Sequence, residues 1–456
     1  MKKWMIAVVL GCLFGLVLAG SCLADTMDAK EYVEILCRGD AESLEEKYPC
    51  TEELQSALEQ SGGLGGLQAS LKSLGELQSV EEPIVSEIGG YTSYSVPCVF
   101  SVQKLNLVVN VDSEGRIAGI VTAAYETAAG DPAAAKEEED PADISIPQGL
   151  TEMELSLPVT EREGWELPGT LTLPEGEGPF PVVILVHGSG PNDRDETVEG
   201  NKPFRDIAWG LAQKGIAVYR YDKRTFIYGA EMASDIELTL EEETVLDAAK
   251  AVEVLAEQDR IDPARIWIAG HSLGGQALPR IHEAVQDGAA GYIFLAAPAR
   301  KLPVIMREQI DFLYSLSPQL TQEQEQQKEE IHAELDRLKD PDSLEDTDTV
   351  LGAYGAYWKD LDAYDQRETA FSITQPCLML QGEEDYQVTM EDFQLWKDAF
   401  GEADNWSFRS YPGLTHLFTK GEKAHGPADY QNIQTVAEEV IADMAEFVLA
   451  GGTLTS

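Results

Sequence analysis

Positive charge and histidine are what this chain has least of. Its 456 residues include 33 Lys and Arg against 81 Asp and Glu, a formal net charge of -48. A phosphate backbone or an anionic bilayer would meet a repulsive surface, so nucleic acid is not an expected partner. The six histidines are few enough to be weighed one at a time. Cysteine is scarce as well. Beyond the N-terminal segment there are only Cys37, Cys50, Cys98 and Cys377, with no CxxC pair and no Cys/His cluster. That excludes a disulfide scaffold and leaves no metal site or cofactor to expect. A Cys37–Cys50 disulfide and buried thiols remain open alternatives. After the first residues no apolar run approaches the roughly 20 residues of a membrane span.

The N-terminus reads as an export signal over residues 1–24. Lys2 and Lys3 precede an apolar run from Trp4 to Leu18, and small residues follow at Ala19, Gly20 and Ser21. Cleavage after Ala24 would release the protein outside the cytoplasm. Cleavage before Cys22 would instead leave a lipid anchor, although Ala19 departs from the leucine usual three residues upstream.

Residues 127–148, TAAGDPAAAKEEEDPADISIPQ, are rich in Ala, Pro and acid without apolar periodicity, which is linker chemistry. They separate a small region, residues 26–126, from a larger one, residues 149–456. The small region has a helical pattern through Tyr32, Ile35, Leu36 and Leu44, and a glycine-rich break at Gly62–Gly66. Strands follow at Tyr91–Phe100, Leu105–Val111 and Ile117–Val121, the last two flanking a turn at Asp112–Gly115. It reads as a small α+β domain. It has no histidine, and its role is not legible.

The larger region alternates strand and helix. Phe180–Val186 is a continuous apolar run, as in a strand buried on both faces. Phe204, Ile207, Ala208 and Leu211 then recur at helical spacing. Further strands are expected at Ile216–Tyr221, Ile266–Ala269, Tyr292–Ala296, Cys377–Leu380 and Ser407–Tyr411, with helices between and a closing helix at Val436–Leu449. Glu154–Val159 and Gly169–Leu173 look like an antiparallel edge pair. The fold class is α/β, a mostly parallel sheet with helices on both faces. Residues 303–370 break the rhythm with helical patterning alone and would form a cap over the carboxyl edge of the sheet. There Tyr354 and Trp358, at i and i+4, either line an acyl pocket or form the packing face of their helix.

Gly270-His271-Ser272-Leu273-Gly274 follows the apolar strand Ile266–Ala269 and precedes a helix. That is the strand–turn–helix context of a nucleophile elbow, where flanking glycines let a strained serine pack closely. A serine hydroxyl needs a base and a group that orients it. In this architecture the order is Ser, acid, His. His187, His271, His282 and His332 come too early or sit in other elements, and His425 lies in a polar loop. His416, directly after the last strand, is the candidate base. Gln381-Gly382-Glu383-Glu384-Asp385 follows CLML, and Asp385 is the best-placed acid, with Glu384 next. The backbone N–H groups of Leu273 and Ser189 are the candidate oxyanion donors, Ser189 lying in the His187-Gly188-Ser189-Gly190 loop.

Four stretches together resemble the bacterial α/β-hydrolase serine esterases that carry a small N-terminal domain of unknown function. They are His187-Gly188-Ser189-Gly190-Pro191-Asn192-Asp193-Arg194-Asp195-Glu196, Tyr221-Asp222-Lys223-Arg224, GHSLGG at the elbow and QGEEDYQV at the acid. The resemblance implies the α/β-hydrolase fold and carboxylesterase action on short acyl esters through an acyl-enzyme. Thr225-Phe226-Ile227-Tyr228-Gly229 departs from it, where a glycine-rich turn is expected. Asp193, Arg194, Asp195, Asp222 and Arg224 are expected to bridge the site's loops rather than react. The same triad would serve a serine peptidase or an acyltransferase. A non-enzymatic capture protein would be favoured only if a triad position were missing.

Overall fold

In the computed structural model the described residues are 28–38, 44, 47–51, 54, 71, 77–88, 91–100, 104–112, 115–123 and 146–454. The export signal with Cys22, the Gly62–Gly66 break and nearly all of the 127–148 linker lie outside them. The described residues divide into two compact units.

In the N-terminal unit, helix α1 (Ala29–Arg38) buries Ala29, Tyr32, Val33 and Leu36. Strands β1 (Leu77–Val80), β2 (Ile84–Ile88), β3 (Tyr91–Phe100), β4 (Lys104–Val111) and β5 (Ile117–Ala123) form an antiparallel sheet in the order β1-β3-β4-β5, with β2 also paired to β3. Asp112 organises the β4–β5 turn, its carboxylate accepting from the Arg116 N–H at 2.8 Å. No disulfide joins Cys37 to Cys50 among the described residues.

In the larger unit the sheet strands are β6 (Thr151–Glu154), β7 (Gly169–Leu173), β8 (Phe180–Val186), β9 (Ala217–Tyr221), β10 (Ile261–His271), β11 (Gly291–Leu295), β12 (Cys377–Gly382) and β13 (Trp406–Tyr411). Their order is β13-β12-β11-β10-β8-β9-β7-β6. The six from β8 to β13 run parallel, whereas β9–β7 and β7–β6 are antiparallel. The edge pair is therefore Thr151–Glu154 with Gly169–Leu173. Leu157–Pro158 leaves the sheet to pair with Glu166–Leu167.

Strand periodicity sorts the core. Val182, Ile184 and Val186 of β8 face one apolar layer with Val252, Leu255, Leu278 and Ile281. Val183 and Leu185 face the other, with Phe204, Ile207, Leu211, Val440 and Met444. Helices α2 (Pro203–Gln213) and α10 (Glu438–Leu449) therefore cover one face. Helices α3 (Leu246–Ala256), α4 (Leu273–Val285) and α9 (Met390–Phe400) contribute to the opposite layer. From β8 the chain goes outward to β9, then returns to the other side of β8 as β10. The carboxyl ends Val186 and Gly270 flank that reversal as neighbours in register, the place where open α/β sheets bind ligands.

The cap segment holds helices α5 (Leu302–Ser315), α6 (Gln322–Arg337), α7 (Gly355–Ala363) and α8 (Gln366–Ala370). It is not helical throughout. Thr349–Val350 pairs antiparallel with Ala353–Tyr354, around Leu351 and Gly352, both at positive φ. Among the described residues no helix is long and apolar enough to cross a membrane.

Candidate active site

Ser272 stands in the turn between β10 and α4 with φ 51° and ψ -118°. A non-glycine residue in that region costs on the order of 1–3 kcal/mol, so its surroundings must hold it there. The Ser272 N–H donates to the Leu295 carbonyl at 2.9 Å, and the Ser272 carbonyl accepts from Gln276 N–H at 2.9 Å. The glycines are sterically required. A Cβ on Gly270 would lie 2.3 Å from the Gly274 oxygen, and one on Gly274 would lie 2.4 Å from the Val186 oxygen. Strand, elbow and helix therefore touch backbone to backbone.

At the end of β12, Gly382 comes close to the histidine loop. A Cβ there would sit 2.4 Å from the Leu414 and Thr415 oxygens. The loops after β12 and β13 thus pack together, bringing Asp385 and His416 into direct contact, with His416 Nδ1 2.6 Å from Asp385 Oδ2. Asp385 is buried. Its Oδ1 accepts from the N–H groups of Gln387 (2.7 Å) and Val388 (3.0 Å), and its Oδ2 also accepts from Gln381 Nε2 (3.0 Å). Glu384 points elsewhere, accepting from the Lys423 N–H at 2.9 Å. With Nδ1 committed to Asp385, Nε2 is the ring nitrogen left to exchange a proton. His425 is exposed and bonded to Asp429 at 2.9 Å.

Ser189 and Leu273 border the same cavity as Ser272 and His416. As the first residue of α4, Leu273 has an N–H with no acceptor inside its helix. The loop carrying Ser189 is braced by His187, whose Nε2 lies 3.0 Å from the Asp193 carbonyl oxygen. Burial pushes the His187 imidazole down to about 4, so it is neutral.

Glu196 closes the motif run and carries a second dyad that sequence reading passed over. The carboxylate accepts from Gly188 N–H at 2.6 Å, and its Oε2 lies 2.9 Å from His271 Nδ1, an ion pair rather than an aligned hydrogen bond. Burial opposes both charges, but the pair overcomes it. Glu196 is lowered and His271 raised from their ordinary ranges, each by the other's charge. Nε2 of His271 lies 3.0 Å from the backbone oxygen of His416, joining this pair to the base's loop.

The remaining charges are paired as loop supports, with partners partly different from those expected. Arg194 bonds Asp222 (2.9 Å) and Glu154 (2.9 Å), and Asp195 meets Arg220. Arg224 reaches not into the 193–195 run but to Asp247 (2.6 Å) and Glu161 (2.6 Å). Asp193 accepts from Thr197 N–H at 2.9 Å. The segment after Arg224, where a glycine-rich turn was expected, is a short helical turn, Arg224–Ile227.

The cavity holds about 370 Å³. One wall is the elbow and the Gly188–Ser189 loop, and another is α5, through Leu302, Ile305, Met306, Gln309 and Leu313. Tyr386, Leu417 and Tyr430 add to the apolar lining, Glu196 and Glu199 also border it, and no Lys or Arg does. Tyr354 and Trp358 are not among the lining residues. Trp358 is 2% exposed and donates from Nε1 to the Val350 carbonyl at 2.9 Å. It packs in the apolar core that the cap shares with one face of the sheet, its indole tied to the hairpin before α7. The residues that line the cavity instead recur at helical spacing from 302 to 313. That signal was legible, but nothing local said which helix of the cap would face the serine.

The family model described as "Serine aminopeptidase, S33" matches residues 179–423. Esterase EstD of Thermotoga maritima is 36% identical over 383 residues, covering 84% of this chain and 85% of that protein. Among solved structures, Est1E from Butyrivibrio proteoclasticus aligns at 18% identity with a TM-score of 0.43, covering 65% of this chain and 98% of that one. The Pyrococcus furiosus esterase Pf2001 aligns at 14% identity and a TM-score of 0.42, covering 67% and 92%. The strand order, the elbow and the 179–423 match lead to one conclusion: the chain belongs to the α/β-hydrolase family of serine aminopeptidase S33.

Proposed function

We propose that this protein is an exported serine carboxylesterase that hydrolyses neutral esters with short acyl groups through an acyl-serine intermediate. The observation that carries the reading is Ser272, held at positive φ, on the same apolar cavity as a histidine whose Nδ1 is bonded to a buried aspartate. Ser272 Oγ attacks the ester carbonyl while His416 Nε2 takes its proton. The N–H groups of Ser189 and Leu273 receive the developing oxyanion, and His416 returns the proton to the leaving alcohol. Water, deprotonated by His416, then releases the acid. No Lys or Arg lines the cavity whereas Glu196 and Glu199 do, which suits a substrate without a carboxylate. The volume falls at the low end of the roughly 300–1,000 Å³ of ligand sites, which suits a short acyl chain. The relationship to a protein named as an esterase supports ester over amide bonds. The basic and apolar N-terminal residues support export, with Ala24 or Cys22 as the processing point.

One observation favours a second reading, aminopeptidase action. Glu199 is among the residues lining the cavity, and a carboxylate there would pair with a substrate α-ammonium. Nitrophenyl esters from acetate to dodecanoate, run beside aminoacyl nitroanilides, decide between the two. The esterase reading expects turnover of the short esters and little of the anilides, lost in Ser272→Ala. Faster turnover of the anilides would replace it with the peptidase.

A further inference from the structure

Lys223, Glu243 and Tyr357 come from three separate segments and meet beneath the Ser189 loop. Lys223 lies just after β9 and is 2% exposed, and Glu243, in a π-helical turn (Glu241–Val245) before α3, is 3% exposed. Lys223 Nζ donates to Glu243 Oε1 at 2.5 Å and to the Gly188 carbonyl at 2.8 Å. Glu243 Oε2 accepts from the Tyr357 hydroxyl at 2.6 Å. Tyr357 belongs to α7 of the cap and is itself buried. Burial, with the Glu243 carboxylate beside it, pushes its phenol well above the ordinary range, so it remains a donor.

The Gly188–Ser189 peptide is trans, and in a trans peptide the carbonyl and the N–H point in opposite directions. A cation bonded to the Gly188 oxygen therefore fixes which way the Ser189 N–H points. On the preceding peptide, Glu196 holds the Gly188 N–H, so the loop is gripped by an anion and a cation on successive peptides. A lysine buried only to stabilise the fold is a poor device. An ion pair taken out of water often does no better than apolar residues of the same size. A carbonyl polarised by an ammonium also makes its own N–H a stronger donor.

We infer that Lys223 is a positioning residue for the oxyanion hole, holding the Gly188–Ser189 peptide with its N–H toward Ser272, and that Glu243 and Tyr357 tie this peptide to the cap. The inference rests on the serine-esterase reading above. Removal or displacement of the cap's Tyr357 then reaches the reacting carbonyl without any change in the cavity wall.

The test uses the full chain. In Lys223→Met/Glu243→Gln both charges are removed together, so neither is left buried alone. In Tyr357→Phe only the link from the cap is cut. Each is assayed for kcat and KM on nitrophenyl butyrate and for affinity to phenylboronic acid, whose adduct with serine is tetrahedral. Loss of one oxyanion donor costs about 10²–10³ in kcat, and a loosened donor should cost less. The double variant should lose roughly 10–100-fold in kcat and a similar factor in boronate affinity, with KM held within about threefold. For Tyr357→Phe the expectation is a smaller loss in the same two quantities, again at constant KM. A folded double variant with kcat and boronate affinity within about twofold of the unaltered protein overturns the inference, as does a change confined to KM. If the double variant does not fold, Tyr357→Phe decides, and unchanged kcat and boronate affinity there overturn it. Failure of the unaltered protein to turn over esters and bind boronate would sink the serine reading instead.

Discussion

Replacing Asp385 with asparagine removes one acceptor from a group that accepts four hydrogen bonds. Oδ1 takes the N–H groups of Gln387 and Val388, and Oδ2 takes His416 Nδ1 and Gln381 Nε2. An asparagine has a single oxygen. With that oxygen on the Oδ2 side, its NH₂ would face two buried backbone donors, stranding them at about 1–3 kcal/mol each. The favoured orientation keeps the backbone bonds and turns the NH₂ toward His416. The imidazole must then accept at Nδ1 and carry its hydrogen on Nε2, the tautomer that cannot take a proton from Ser272. In the serine-protease triad the equivalent change costs on the order of 10⁴ in kcat, about 5 kcal/mol at 1.36 kcal/mol per tenfold. Asp385→Asn should fall by roughly that factor on nitrophenyl butyrate, with the circular dichroism spectrum unchanged. Glu384→Gln, which disturbs only the bond from Lys423 N–H, should stay within about 0.5 kcal/mol, or roughly twofold. An Asp385→Asn enzyme within tenfold of the unaltered one, or a greater loss in Glu384→Gln, would refute the reasoning.

Three further outcomes are expected. Met306→Ala, on the α5 wall, should move the preferred acyl chain toward longer esters. Trp358→Ala should cost about 3–5 kcal/mol of stability and leave chain preference unchanged, and a Trp358→Ala protein with altered preference and an intact melting temperature would contradict this. The third perturbation is pH. Burial holds His187 at about 4, below the roughly 6.5 of an unfolded histidine. The unfolded chain then binds more protons between these values, so this residue's contribution is present above pH 6.5 and is lost as pH falls toward 4, by roughly 3 kcal/mol in all. His187→Gln, which can still donate toward the Asp193 carbonyl, should melt with a shallower drop between pH 7 and 5. Equal drops in the two proteins would contradict the assignment.

Much of the larger unit was legible because its signals are local. FPVVILV announces a strand buried on both faces, and the expected starts and ends of the parallel strands fall within a residue or two, apart from β10. Its sequence, IDPARIWIAGH, hides the first residues behind Asp262 and Pro263. The turn glycines at 270 and 274 and the order of Ser272, Asp385 and His416 could be read in the same way. What escaped was pairing across distance. Glu196 stands in the motif run of the loop after β8, yet its partner His271 lies at the end of β10. Lys223 finds Glu243 in a helical turn, and Glu243 in turn finds Tyr357 in the cap, with no spacing that announces either. The cap illustrates the limit most plainly: Tyr354 with Trp358 and Ile305 with Met306 are equally apolar patterns, and only the packing in three dimensions, which buries Trp358 and sets α5 against the cavity, tells them apart.

The central claim is a covalent one, that Ser272 carries the acyl group between two half-reactions. The most direct measurement is intact-protein mass spectrometry of the enzyme quenched in acid during turnover of a nitrophenyl ester, followed by peptide mapping. The account predicts a mass gain of one acyl group on the peptide containing Ser272, absent in Ser272→Ala. It also predicts that fluorophosphonate modifies the same residue. Turnover with no adduct at Ser272, or an adduct on another side chain, would contradict it.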